Sequence, residues 1–343
     1  MLHRKQYRVA VRVTIMVLAL TLTACGTQEN TGSTESVKST ETVENTETVK
    51  GTETVESTET IENVEIIEAM VSESAAPQGT ANVTPQMQPV EYTNLQQITL
   101  DSTWEYADHS KINTGAAVLY RAPEESGRKG IVIGVNAGHG TVGGSKVKTL
   151  CHPDGSAKVT GGSTAMEAAA VSGGMTFQDG TPEREVTLRM AQILRDKLLS
   201  SGYDVLMLRD SEDVQLDNVA RTVICNNIAD CHIALHWDSG DGKNYDKGCF
   251  YISVPEALKN MEPVASHWQQ HDTLGTDLVE GLREQGATIY GKGHMGIDLT
   301  QTSYSTIPSV DMELGNAYSD HSDVILEQLA TGLLTGINTY FEQ

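Results

Sequence analysis

Five short apolar runs, separated by stretches of helical periodicity, leave this chain few folds to choose from. The runs are 131–135, 204–208, 232–235, 249–254 and 309–312, each bounded by Gly, Asp or Pro. Between them, 184–199 sets Leu188, Ala191, Leu194 and Leu198 at helical spacing, and 214–229, 272–285 and 322–341 look similar. Strands alternating with helices of this length predict a single α/β domain, with a twisted, mostly parallel sheet flanked by helices, over 129–343. In such sheets functional groups gather at the carboxyl ends of the strands. Three residues of chemical interest fall there: His139, between Gly138 and Gly140, His236, directly after 232–235, and Glu313, directly after 309–312.

The region ahead of the domain is of another kind. Arg4, Lys5, Arg8 and Arg12 precede the apolar stretch 13–24, which is too short to span a bilayer core of roughly 30 Å. This reads as an export signal over 1–24. It ends in Leu22-Thr23-Ala24-Cys25, similar to a bacterial lipobox, which implies lipidation of Cys25. From 34 to 69 a six-residue unit repeats, bringing Val37, Val43, Val49, Val55, Ile61 and Ile67 back at every sixth position. Six residues advance about 600° around a helix, so these side chains form no stripe. With twelve Glu in 26–90 and little apolar content, 25–90 reads as a lipidated cysteine followed by a disordered tether. Its reach is roughly 45 Å as a flexible coil. The segment 91–128 is either a small capping subdomain or an extension packed on the sheet.

Charge narrows the functional classes. Of the net charge of −22, residues 26–90 carry −10 and 91–343 carry −16, against +4 in the first 25. An acidic body lacks the basic footprint that nucleic acid requires, and it does not adhere by charge to anionic lipid. Beyond Cys25 the cysteines are Cys151, Cys225, Cys231 and Cys249, without a C-x-x-C pair. Disulfides and buried thiols both fit that count outside the cytoplasm.

Histidines and glutamates at separate strand ends are the raw material of a zinc hydrolase, which needs three protein ligands, an open position and a carboxylate to handle the water's proton. Four blocks, IVIGVNAGHG, PEREVTLRMAQILRDKLLSSGYDVLMLRD, RTVICNNIADCHIALHWD and PSVDMELGNAYSD, resemble in order the zinc-dependent N-acetylmuramoyl-L-alanine amidases over about 130–341. The resemblance implies Zn2+ held by His139, Glu183 and His236, with Glu313 as the catalytic base. It picks Glu183 over Glu185 because Leu188 follows Glu183 at plus five. Arg221 matches an arginine of the family without a chemical role.

The pattern is not followed throughout. Asn136-Ala137 replaces the family's Asp-Pro, Trp237 follows the third ligand where a small residue is usual, and Leu314 and Asn316 stand for Thr and Phe. Residues 143–182 form a long insertion between the first two ligands. His232 and His236 lie four apart on a strand, about 13 Å in span, and cannot share an ion, so His232 is expected in the core or behind the ligands. His152, His294 and His321 are expected at the surface. The function implied is hydrolysis of the amide between N-acetylmuramic acid and L-alanine in peptidoglycan, by a lipid-anchored extracytoplasmic enzyme facing the wall. The rival readings are a zinc peptidase of the stem peptides and a non-catalytic wall-binding or regulatory lipoprotein.

Overall fold

The computed structural model describes residues 95–162, 164–239 and 244–342. The export signal, Cys25 and the repeat tether lie outside them. Among the described residues no helix is long and apolar enough to cross a membrane.

Four parallel strands form the middle of the sheet: β3 (Val132–Ala137), β6 (Asp204–Met207), β7 (Cys231–Asp238) and β10 (Ser309–Asn316). Each is buried along most of its length, which is why each reads as an unbroken apolar run. Around them the order is β1-β2-β6-β3-β7-β10-β8-β9, with β1 (Gln96–Ile98), β2 (Ala117–Tyr120), β8 (Cys249–Ser253) and β9 (Ile289–Gly296) completing eight strands. A separate hairpin, β4 (Lys148–Leu150) with β5 (Glu167–Ala169), is made by the insertion.

Alternation sorts the side chains to two faces. Ile133, Val135, Ile233, Leu235, Val310 and Met312 pack with α1 (Glu183–Ser200), α3 (Val264–Glu284) and α5 (Asp323–Phe341) through Leu194, Leu278 and Leu333. Toward the other face, α2 (Asn218–Ile228) lays Ala220, Ile224 and Cys225 against Val132, Leu206 and Leu208. The short α4 (Thr300–Tyr304) joins it, Tyr304 meeting Val219 and Val223. All four cysteines of the domain are buried free thiols.

Residues 95–128 continue the sheet: β1 pairs with β2 and β2 with β6, both antiparallel. They are stapled at two points. Asp204 accepts from Arg121 Nη1 at 2.7 Å, Arg128 Nη2 at 2.6 Å and the Ala122 amide at 2.9 Å. Asp217, which caps α2 through the Ala220 amide, also accepts from Ser110 Oγ and the amides of Lys111 and Ile112.

Two buried guanidiniums hold the turn that leaves β3. Arg221 donates to the carbonyls of Leu216, Ala137 and His139, to Asn136 Oδ1 and to Thr141 Oγ1. Arg209 donates to the carbonyls of Ala137, Gly138, Arg184 and Ser211 and to Thr187 Oγ1. Burial pushes Arg221 down to about 9, helped by the charge of Arg209, and burial with Arg184 nearby pushes Arg209 down to about 10. Both stay charged at neutral pH.

Two outcomes are expected. Arg221→Met strands several buried acceptors at once and costs about 3 kcal/mol or more in urea unfolding. Burial by itself raises the Asp204 carboxyl, but hydrogen bonds from Arg128, Arg121 and the Ala122 amide outweigh it and hold the carboxyl below its ordinary value. Its stabilisation is therefore complete above about pH 4, where the unfolded chain titrates, and fades as pH falls through the lower folded value. Asp204→Asn lowers stability by about 2 kcal/mol at neutral pH, and the gap from wild type narrows in urea titrations repeated toward pH 2.

Candidate active site

The turn after β3 places His139 in the left-handed region, at φ 66°, a cost that a residue without a glycine's freedom bears only where its surroundings fix it. The arginine clamp is that fixing. The two glycines beside it meet separate demands. A Cβ on Gly138 would sit 2.2 to 2.6 Å from the His236 ring, and one on Gly140 2.5 Å from Arg209. The glycines thus let an imidazole and a guanidinium approach the backbone, and Gly140 shares the left-handed conformation of His139 at φ 69°.

His139 Nδ1–H donates to the Ser172 carbonyl at 3.0 Å, which leaves a lone pair on Nε2. Glu183 opens α1 and is 3% exposed. Its Oε2 accepts from the Met175 amide at 2.8 Å and its Oε1 from the Trp237 amide at 3.0 Å. Parallel pairing of β7 with β10 sets His236 directly beside Glu313. The atoms that meet are His139 Nε2, Glu183 Oε1 and His236 Nδ1, separated by 2.8, 3.1 and 3.1 Å. Glu185, the alternative acid, is 56% exposed and pairs with Arg184.

Three acceptor atoms converging in a buried place call for a cation. Ligands at about 2.0–2.1 Å from a tetrahedral zinc lie about 3.3 Å apart, close to the spacing found here. The charges agree. Burial pulls His236 down, yet Asp311, Glu183 and Glu313 together raise it to about 10. Burial raises Glu183, but hydrogen bonds with the two histidines hold it well below the carboxylate range. Positive charge is what this cluster favours, and a His-Glu-His donor set suits a divalent ion such as zinc.

Glu313 shares with these residues one half-open groove of about 650 Å³, also lined by Asn136, Asp311, Lys158 and Gln301. Its Oε2 is buried without a hydrogen-bond partner. Burial, reinforced by Asp311, pushes its carboxyl well above the ordinary value. His232 stays in the core, with Asn136 Nδ2 donating to its Nε2 at 3.2 Å, and burial holds it neutral by pushing it down to about 3. Asn136 therefore links Arg221 to His232, a role open to Asn at the position where the resemblance leads one to expect Asp.

The insertion is part of the site. Besides Ser172 and Met175 it supplies Ala168, Ala169 and Val171 to the groove wall. His152, expected at the surface, is fully buried instead, because its Nε2 meets both Asp298 oxygens at 2.9 and 3.0 Å and its Nδ1 meets Ser156 Oγ at 2.8 Å. His321 pairs with Asp179 and packs on Phe177, and His294 lies on β9. Sequence reasoning missed Asp311, Ser172 and Met175. Only Asp311 left a signal, an acid inside an apolar strand.

The family profile for N-acetylmuramoyl-L-alanine amidase matches residues 133–332. No curated protein matches the chain. Among solved structures, the N-acetylmuramyl-L-alanine amidase Ami1 of Mycobacterium smegmatis superimposes with a TM-score of 0.52 at 17% identity, covering 62% of this chain and 97% of that one. The apo form of Ami1 from Mycobacterium abscessus gives 0.49 at 20% identity, covering 62% and 99%. The likeness to the first supports the fold. The profile covers more than half of the sequence and contains His139, Glu183, His236 and Glu313, and the chain belongs to the N-acetylmuramoyl-L-alanine amidase family.

Proposed function

We propose that this peptidoglycan amidase cleaves the bond between the lactyl carbonyl of N-acetylmuramic acid and the nitrogen of L-alanine, using His139, Glu183 and His236 to hold Zn2+ and Glu313 as general base. The observation that carries this reading is the meeting of three acceptor atoms beside an unpaired buried carboxylate oxygen in one groove. When bound, the ion supplies Lewis-acid polarisation of the scissile carbonyl and acidification of the attacking water.

The chain's own residues do the rest. Ser172 fixes the His139 tautomer, and the Trp237 and Met175 amides fix the Glu183 carboxylate. Glu313 takes the proton of the attacking water and delivers it to the departing alanine nitrogen, so that a carboxylic acid and a free amine leave. The raised affinity of Glu313 for protons suits a group that must hold one between these two steps. A cation in the site draws it back toward the ionised form needed at the start.

The finer placement of the enzyme is part of the same proposal. Cys25 carries the lipid, 26–90 serves as the tether, and the domain works outside the cytoplasmic membrane against the wall. An acidic domain is not drawn to an anionic polymer by charge, and a tether supplies proximity instead.

Two measurements test this. The chain from residue 26 is incubated with peptidoglycan and the products are identified by mass. Free stem peptides beginning with L-alanine are expected, whereas cuts within the stem peptides would mark a peptidase. Chelation abolishes release and added zinc restores it. Glu313→Gln lowers turnover at least about 10²-fold, the scale of a lost general base, while still binding zinc. In cells, Cys25→Ser moves the protein from the membrane fraction to the soluble one.

A further inference from the structure

β10 carries an acid that the reaction above does not use. Asp311 lies two residues before Glu313, on the same face of the strand, and is only 13% exposed. Its Oδ1 is buried without a hydrogen-bond partner. Its ion-pair contact is His236, whose Nε2 lies 3.7 Å from Asp311 Oδ2. A buried carboxylate with an unsatisfied oxygen is costly to keep, so something at this place should gain from it.

The two histidines show what that gain is. A histidine that coordinates through one ring nitrogen needs an acceptor at the other, to fix tautomer and ring orientation and to raise its basicity. His139 has one, the Ser172 carbonyl at Nδ1, with Nε2 facing the cluster. In His236 the roles are exchanged: Nδ1 faces His139 and Glu183, and Nε2 faces Asp311. Among the described residues, Asp311 is the one carboxylate in ion-pair range of that nitrogen. The terminal torsion of an aspartate is soft, so a small rotation brings Oδ2 from 3.7 Å into hydrogen-bond range.

We propose that Asp311 is a positioning residue which accepts the Nε2–H of His236, and so presents the Nδ1 lone pair to the metal. This rests on the metal-site reading above and adds to it a determinant of ion affinity that is not itself a ligand. It also accounts for an acid in the middle of an otherwise apolar strand.

The test measures zinc affinity of the chain from residue 26 by competition with a fluorescent chelator, and the melting temperature of the metal-free protein. Asp311→Asn keeps an acceptor oxygen but loses the charge, and Asp311→Leu loses both. Affinity is expected to fall about tenfold in Asp311→Asn and about a hundredfold in Asp311→Leu. The metal-free melting temperature should hold or rise, since a buried charge has been removed. Glu313→Gln, which removes a neighbouring charge without touching His236, should weaken zinc less than Asp311→Asn. Zinc affinities within threefold of wild type in both Asp311 variants would overturn the proposal. So would an Asp311→Leu loss no larger than that of Glu313→Gln, which would reduce the effect to charge alone. His139→Ala separates the two layers. If it abolishes zinc binding while the Asp311 variants bind normally, the metal site stands and only the role of Asp311 fails. If it binds zinc as wild type does, the metal-site reading falls, and this inference with it.

Discussion

The site depends on two buried guanidiniums. Arg209 and Arg221 reach the turn after β3 from the segment following β6 and from α2, and between them occupy the carbonyls of Ala137, Gly138 and His139. A turn with a histidine in the left-handed region does not hold itself. Here charge-assisted hydrogen bonds from two neighbouring segments over-determine the backbone, so the His139 ring has one direction left to point. Among the described residues no carboxylate is hydrogen-bonded to either arginine. Their donors go to backbone oxygens and to Asn136 Oδ1, Thr141 Oγ1 and Thr187 Oγ1, which binds the β3 turn, the start of α1 and the α2 entry into one unit.

That dependence also explains what was legible in the sequence. The central strands were readable because burial on both faces makes them apolar throughout, and β3, β7 and β10 lie where the runs predict them. β9 was not. Its sequence, Ile-Tyr-Gly-Lys-Gly-His-Met-Gly, is that of a partly exposed edge strand, and nothing in it separates a strand from a loop. α3 begins at Val264, eight residues before the periodic stretch from 272, because its first turns are polar. The four residues of the reading, His139, Glu183, His236 and Glu313, come together in one groove. Strand ends pointed to His139, His236 and Glu313, but it took the family resemblance to pick out Glu183, which opens α1, and to separate it from Glu185. The supporting contacts could not be read, since a Ser172 carbonyl or a Met175 amide has no side-chain signature.

The charge pattern of the site has two layers. Four acids, Glu183, Asp238, Asp311 and Glu313, line the groove with two imidazoles among them, and Lys158 and Arg221 also reach its wall. Behind the β3 turn lie the two arginines. Among the described residues the hydrogen bonds of the arginines go to neutral oxygens and not to these acids, which leaves Glu183, Asp311 and Glu313 as uncompensated acids around the three donor atoms.

The insertion closes the account of how the groove and the ligands are tied together. It leaves the β3 turn, forms the β4–β5 hairpin, and returns to α1 through Ser172 and Met175, which hold the outer atoms of His139 and Glu183. Midway it is anchored by the fully buried His152–Asp298 pair, and Asp298 also accepts from the Val159 amide and donates its own amide to Thr160 Oγ1. A groove wall of this kind cannot be exchanged freely for another, because changing its course moves the acceptor behind His139 and the donor behind Glu183. The groove wall and the frame that orients His139 and Glu183 are one segment, and in the role proposed for it Asp311 is the corresponding frame for His236, supplied by the sheet.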